Sequence, residues 1–154
     1  MADMLVKLYN LKSEDNLEEL YSKGVTLRRA LPPEKYRVIS WVKDKFGDHW
    51  ASECDVAFSN KPVTCYIAIK NKEIIGFACY EATCRDFFGP TGVDNEFRAQ
   101  GIGKALLIKS LVAMKEMGYG YAIIGGAGPT EFYEKAVQAE VIEGSIPGIY
   151  EGLL

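Results

Sequence analysis

The chain has 154 residues, of which 48% are apolar and 25% charged, and its formal net charge is −3. Those figures fit one globular domain over residues 1–154, with a substantial core. They give no basic surplus for nucleic acid, and no apolar run approaches the ~20 residues that span a bilayer. Met1-Ala2-Asp3-Met4 lacks the basic-then-apolar order of a signal peptide, so the expected location is the cytoplasm, with neither nucleic acid nor membrane as partner.

Met4 to Tyr9 alternates as a first strand. Ser13 is a good N-cap for a helix carrying Leu17, Leu20 and Tyr21 on one face, with Gly24 as its stop. Pro33 suits the first turn of a second helix, whose apolar stripe is Val38, Ile39, Trp41, Val42 and Phe46. Asp48 can cap a short third helix with Trp50, Cys54, Ala57 and Phe58. These aromatic helices are expected to pack on a sheet.

After Ser59-Asn60-Lys61-Pro62, Val63 to Lys70 and Glu73 to Thr83 read as two strands joined by a tight turn at Asn71-Lys72. Arg85 to Val93 is a fourth strand, broken at Gly89-Pro90, where it can part from its neighbour because proline removes a ladder donor. Gly101 to Met117 is a long helix, apolar around most of its circumference and hence buried, with Gly118 at its end. Tyr121 to Ile124 is a fifth strand, parallel to the fourth across that helix. Thr130 to Val137 is a short helix, and Glu140 to Glu143 and Ile149 to Glu151 read as closing strands.

The stretch Val93-Asp94-Asn95-Glu96-Phe97-Arg98-Ala99-Gln100-Gly101-Ile102-Gly103-Lys104 joins strand four to the long helix. A helix start offers unpaired N–H groups and the positive end of a macrodipole, and glycine lets a ligand approach the main chain. A phosphorylated ligand suits such a corner, with Arg98 and Lys104 as flanking cations. It is not a dinucleotide fingerprint, because Leu106 stands where the third glycine belongs. Nor is it a P-loop, because Phe97-Arg98-Ala99 occupies the place of the first glycine and Ala105 follows Lys104.

Arg98-x-x-Gly101-x-Gly103, with its lead-in from Val93, resembles the acyl-CoA signature of the GNAT N-acetyltransferase superfamily, apart from Asn95 where that family often has proline. The element order is similar to that of the same family. The resemblance implies an α/β (α+β) fold with a mixed, mostly antiparallel central sheet of six to seven strands, flanked by four to five helices, strands four and five parallel and splayed. It also implies acetyl-CoA as co-substrate, with no metal. The pyrophosphate would lie on Arg98, Ala99, Gln100, Gly101, Ile102, Gly103 and Lys104, and the pantetheine arm would pair with the strand edge at Thr91 and Val93.

Acetyl transfer to an amine needs a fixed thioester, a neutral amine and a proton donor for the leaving thiolate. Tyr133 matches the tyrosine that the family places on the helix after strand five, and is the expected acid. The base is less legible, since Phe87-Phe88-Gly89-Pro90-Thr91 offers no carboxylate. Glu81 is the nearest candidate, Asp86 the next, and a water chain could replace either; His49 reads as a helix-start residue. The helices from Trp41 to Phe58 and the loop from Gly144 to Tyr150 would line the pocket of a small-molecule or peptide amine acceptor. The alternative is a non-catalytic acyl-CoA sensor, and the family's frequent dimers leave a homodimer open. Cys54, Cys65, Cys79 and Cys84 form no CxxC pair, so no metal site is expected and the strand cysteines read as small core residues.

Overall fold

The computed structural model describes residues 1–12 and 16–154. The expected cap Ser13 lies outside the described residues. Among the described residues seven strands form one sheet: β1 (Met4–Lys7), β2 (Val25–Arg29), β3 (Cys65–Lys70), β4 (Glu73–Tyr80), β5 (Phe87–Val93), β6 (Tyr121–Ile124) and β7 (Glu140–Val141). Five α-helices accompany them among the described residues: α1 (Leu17–Ser22), α2 (Lys35–Phe46), α3 (Asp48–Ser59), α4 (Ile102–Glu116) and α5 (Thr130–Val137). Among the described residues no helix is long and apolar enough to cross a membrane.

The sheet order is β2-β3-β4-β5-β6-β1-β7. Every pairing is antiparallel except β5 with β6. That parallel pairing is short, Phe87 with Ile123 and Phe88 with Ile124, and it stops at Gly89-Pro90. Beyond it β5 continues on β4 alone, as far as Val93 opposite Gly76. The break anticipated at Gly89-Pro90 is therefore where the sheet opens.

Two expectations are corrected. Val25–Arg29 is a strand, where no strand was expected between Gly24 and Pro33; Val25 and Leu27 face the core while Thr26 and Arg28 face solvent. At the other end, the expected Glu140–Glu143 strand shortens to two residues, and Gly148–Tyr150 is a 3-10 turn rather than a strand. The edge beside β6 is instead covered by β1, with Met4 opposite Ile124 and Lys7 opposite Tyr121.

The core has two parts. Between the sheet and α4, Ile102, Ala105, Leu106, Leu107, Leu111 and Met114 are buried with Tyr80, Phe88 and Ile124. Each large apolar side chain fully buried in this way contributes ~1.5–3 kcal/mol. Gly101 opens α4 in the left-handed region, at φ +84°, and Gly118 follows its end at φ +104°. Against the other face lie α2 and α3, through Val38, Val42, Cys54 and Ala57. Phe46 joins these helices to the sheet, with ring centroids 5.1 Å from Trp50 and 5.7 Å from Phe77. Its ring rests on Gly92 of β5, where a Cβ would come within 2.5 Å of Phe46 Cζ. That contact fixes the start of α3 over the opening beside β5.

Candidate functional site

The turn from Val93 to Gly101 is pinned at several points. Asp94 N–H donates to Ile75 O at 2.8 Å, Asp94 Oδ1 accepts from Glu96 N–H at 3.0 Å, and Lys45 Nζ lies 2.8 Å from Asp94 Oδ2. The Lys45 ammonium holds the Asp94 carboxyl below the usual carboxylate range. With Asp94 N–H directed to β4, strand alternation turns the main-chain groups of Val93 and Thr91 toward the opening. In agreement with that, Arg98 Nε donates to Val93 O at 3.4 Å.

The first bond of α4 runs from Ala105 N–H to Gly101 O, 3.1 Å, so the N–H groups of Ile102, Gly103 and Lys104 have no acceptor within the helix. Arg98, Ala99 and Lys104 are exposed, while Gln100, Gly101 and Gly103 are half-buried. Ile102 instead points into the core, so only its backbone can serve a ligand. This edge and helix start fit a coenzyme with a pyrophosphate and an extended amide arm, both held by backbone.

Asn16 Nδ2 donates to Gly101 O at 3.2 Å and would stand 2.3 Å from a Cβ at Gly101. A side chain at this left-handed position is strained by ~1–2 kcal/mol and must displace Asn16. Gly101→Ala is expected to weaken acetyl-CoA binding about tenfold or more by calorimetry, with the far-UV spectrum unchanged.

Where β5 and β6 diverge there is a cavity of about 450 Å³. Gly89 to Thr91 and Gly125-Gly126 line it from the sheet, Trp50 and Glu53 from α3, Tyr133 from α5 and Tyr150 from the C-terminal turn. Tyr133 is 6% exposed, and burial pushes its phenol up to about 12. Glu53 Oε1 accepts two hydrogen bonds, from Thr83 Oγ1 at 2.9 Å and from Tyr150 OH at 3.0 Å. Burial first, and then the Glu53 charge, push the Tyr150 phenol up to about 12.

The structure does not bring Glu81 to Tyr133. Glu81 lines a separate cleft of about 360 Å³, with Arg29, Asn60 and Glu116. Its Oε1 accepts from Asp86 N–H at 2.7 Å, closing the turn between β4 and β5. Asp86 is pushed up to about 6, by burial and then by the Glu81 charge, and it does not line the Tyr133 cavity either. His49 does line it, with Nε2 3.1 Å from Leu154 O.

Glu53, Thr83 and Tyr150 are the polar groups that the sequence did not single out. The signal for Glu53 was a carboxylate three residues after Trp50, beside Cys54 on the face that α3 buries. Thr83 and Tyr150 meet it only through the fold, from beyond β4 and from near the C-terminus.

Residues 61–136 match the family model of the acetyltransferase (GNAT) domain. Among solved structures, a GCN5-related N-acetyltransferase from Sphaerobacter thermophilus aligns with a TM-score of 0.72 at 19% identity, over 92% of this chain and 48% of that one. A GCN5-related glucosamine N-acetyltransferase region of a fungal multi-domain GH3 beta-N-acetylglucosaminidase gives 0.73 at 16%, over 92% and 19%. The chain thus spans about half and about a fifth of those two proteins. A GNAT family acetyltransferase from Brucella melitensis, solved in complex with acetyl-CoA, gives 0.59 at 14%, over 77% and 86%. No curated protein matches at a significant level. Residues 61–136 thus carry a GNAT acetyltransferase domain, and the chain has the fold of the GNAT N-acetyltransferases it aligns with.

Proposed function

We propose that the chain transfers the acetyl group of acetyl-CoA to a primary amine by direct attack in a ternary complex. The observation that carries this reading is one cavity, at the end of the β5–β6 pairing, lined by both Glu53 and Tyr133 and bordered by the open edge at Thr91. Backbone N–H groups at the start of α4 hold the pyrophosphate, and the β5 edge holds the pantetheine arm and polarises the thioester carbonyl. Glu53 takes the proton of the incoming ammonium. The neutral amine attacks the carbonyl carbon, the C–S bond breaks, the Tyr133 hydroxyl donates to the departing sulfur, and the proton the nitrogen sheds as it becomes an amide restores the phenol by way of solvent.

The phenol's role follows from its environment. A donor near 12 facing a thiol near 8.5 makes complete proton transfer uphill by about 5 kcal/mol in water. Tyr133 therefore stabilises the developing thiolate as a hydrogen-bond donor. It completes the transfer only where the burial that raises the phenol raises the sulfur's basicity as well. The acceptor is a compact amine, small-molecule or peptide, received between Trp50 and Tyr150.

Calorimetric titration with acetyl-CoA, beside NAD and ATP, tests the coenzyme half of this reading. Binding of acetyl-CoA alone with a Kd at or below ~100 μM is expected, about 5.5 kcal/mol. Folded protein that ignores acetyl-CoA would sink it. The second reading, an acyl-CoA sensor without turnover, is favoured by the absence of a carboxylate on β5 itself.

A further inference from the structure

Three cysteines that acetyl transfer does not use converge beneath α3. Cys54 comes from α3, and Cys65 and Cys79 are direct partners on β3 and β4. Their sulfurs lie within 4.8 Å of one another and all three residues are 0% exposed. Their spacing in the sequence carries no motif, so the expectation of no metal site could not register this convergence. The fourth cysteine, Cys84, is half-buried and outside the cluster.

Three sulfurs at this separation offer a soft, three-coordinate donor set, and thiolates select thiophilic ions. The surroundings then decide the charge. The rest of this core is apolar, including Val38, Ala51, Ala57, Val63, Ile67 and Phe77. Residual charge on a complex here would be buried without a partner, which costs several kcal/mol. Copper(I) on three thiolates leaves two negative charges and a divalent ion leaves one, and zinc also wants a fourth ligand. A trivalent centre leaves none.

We propose that Cys54, Cys65 and Cys79 form a binding site for a trivalent thiophilic metalloid of the arsenic(III) class, held as a neutral pyramidal tris-thiolate. With arsenous acid the exchange is balanced and involves no redox change. Three As–O and three S–H bonds break, three As–S bonds form and three waters leave.

Because the site is sealed, the test loads it during folding. Reduced, denatured full-length protein is refolded with arsenite, freed of excess, weighed by native mass spectrometry and melted. The expected result is one arsenic per chain, with a mass gain of one arsenic less three hydrogens, and a higher Tm than the unloaded protein. Cys84→Ala should retain both effects and Cys54→Ala should lose both, with Cys65→Ala as the second variant if the first does not fold. Parallel refolding with copper(I) or zinc tests the charge argument, and uptake of either without arsenic overturns the neutral complex. Folded wild type without arsenic, or uptake retained in the cysteine-cluster variants, overturns the site and leaves three thiols packed as small apolar residues.

Discussion

Tyr133→Phe is expected to lower kcat for acetyl transfer ~100- to 1,000-fold while leaving the Kd for acetyl-CoA within about twofold. The ring of Tyr133 is packed against Phe88 and Phe132, with centroids 6.5 and 5.0 Å away, and phenylalanine retains both contacts. Only the hydroxyl is lost, and the hydroxyl acts on charge that exists in the transition state and not in the bound thioester. Thiol release under saturating substrate gives kcat, and calorimetry gives the coenzyme Kd. An equal fall in both would make Tyr133 a packing residue. Wild-type protein that binds acetyl-CoA but releases no thiol with any amine would favour the sensor.

The second large effect is Glu53→Gln. At pH 7 it is expected to reduce kcat/KM by ~100- to 10,000-fold, the span typical of a positioned base. Glutamine keeps an oxygen that can accept from Thr83 and Tyr150, so the local hydrogen bonds survive and only proton acceptance is lost. The pH dependence carries the sign. An alkyl amine titrates near ~10.4, so each unit rise above pH 7 gives the variant about ten times more free amine. Its deficit should shrink in proportion, approaching wild type near pH 10. A deficit constant with pH would assign Glu53 to acceptor positioning. Glu81→Gln is the matched control and should leave kcat/KM unchanged, because Glu81 braces the turn at Asp86 outside the cavity.

The corner between β5 and α4 was legible because its signals are local. Two glycines, a basic residue and a strand-to-helix junction sit within one short stretch, and the structure places Gly101 at the left-handed position such a junction requires. The break at Gly89-Pro90 was legible for the same reason, as proline acts on its own backbone. The segments lining the cavity, within Trp41 to Phe58 and Gly144 to Tyr150, were expected, but not the meeting of Glu53, Thr83 and Tyr150, since they come from three distant segments and no spacing rule relates them. Glu81 looked nearest to β5 along the chain, but the chain turns there, and Glu81 itself sits at φ 55° with its carboxylate folded back onto Asp86. The short strand β2 was passed over between two stronger signals, although Val25-Thr26-Leu27-Arg28 does alternate. The cysteine cluster rests on the register of Cys65 with Cys79, which only the assembled sheet reveals.

The seat of β1 sets the order in which the molecule can assemble. The hairpin of β3 and β4, and the pairing of β5 with β4, close between near neighbours in the chain and can form early. The pairing of Met4–Lys7 with Tyr121–Ile124 bridges nearly the whole chain and carries the entropy of that long loop. During synthesis the first strand waits unpaired until the last quarter of the protein has emerged. Because β6 and Met1 both border the cavity, a chain can form the corner between β5 and α4 before that cavity is enclosed. The cavity is therefore complete only in the finished fold, whereas the corner between β5 and α4 needs only segments made before β6.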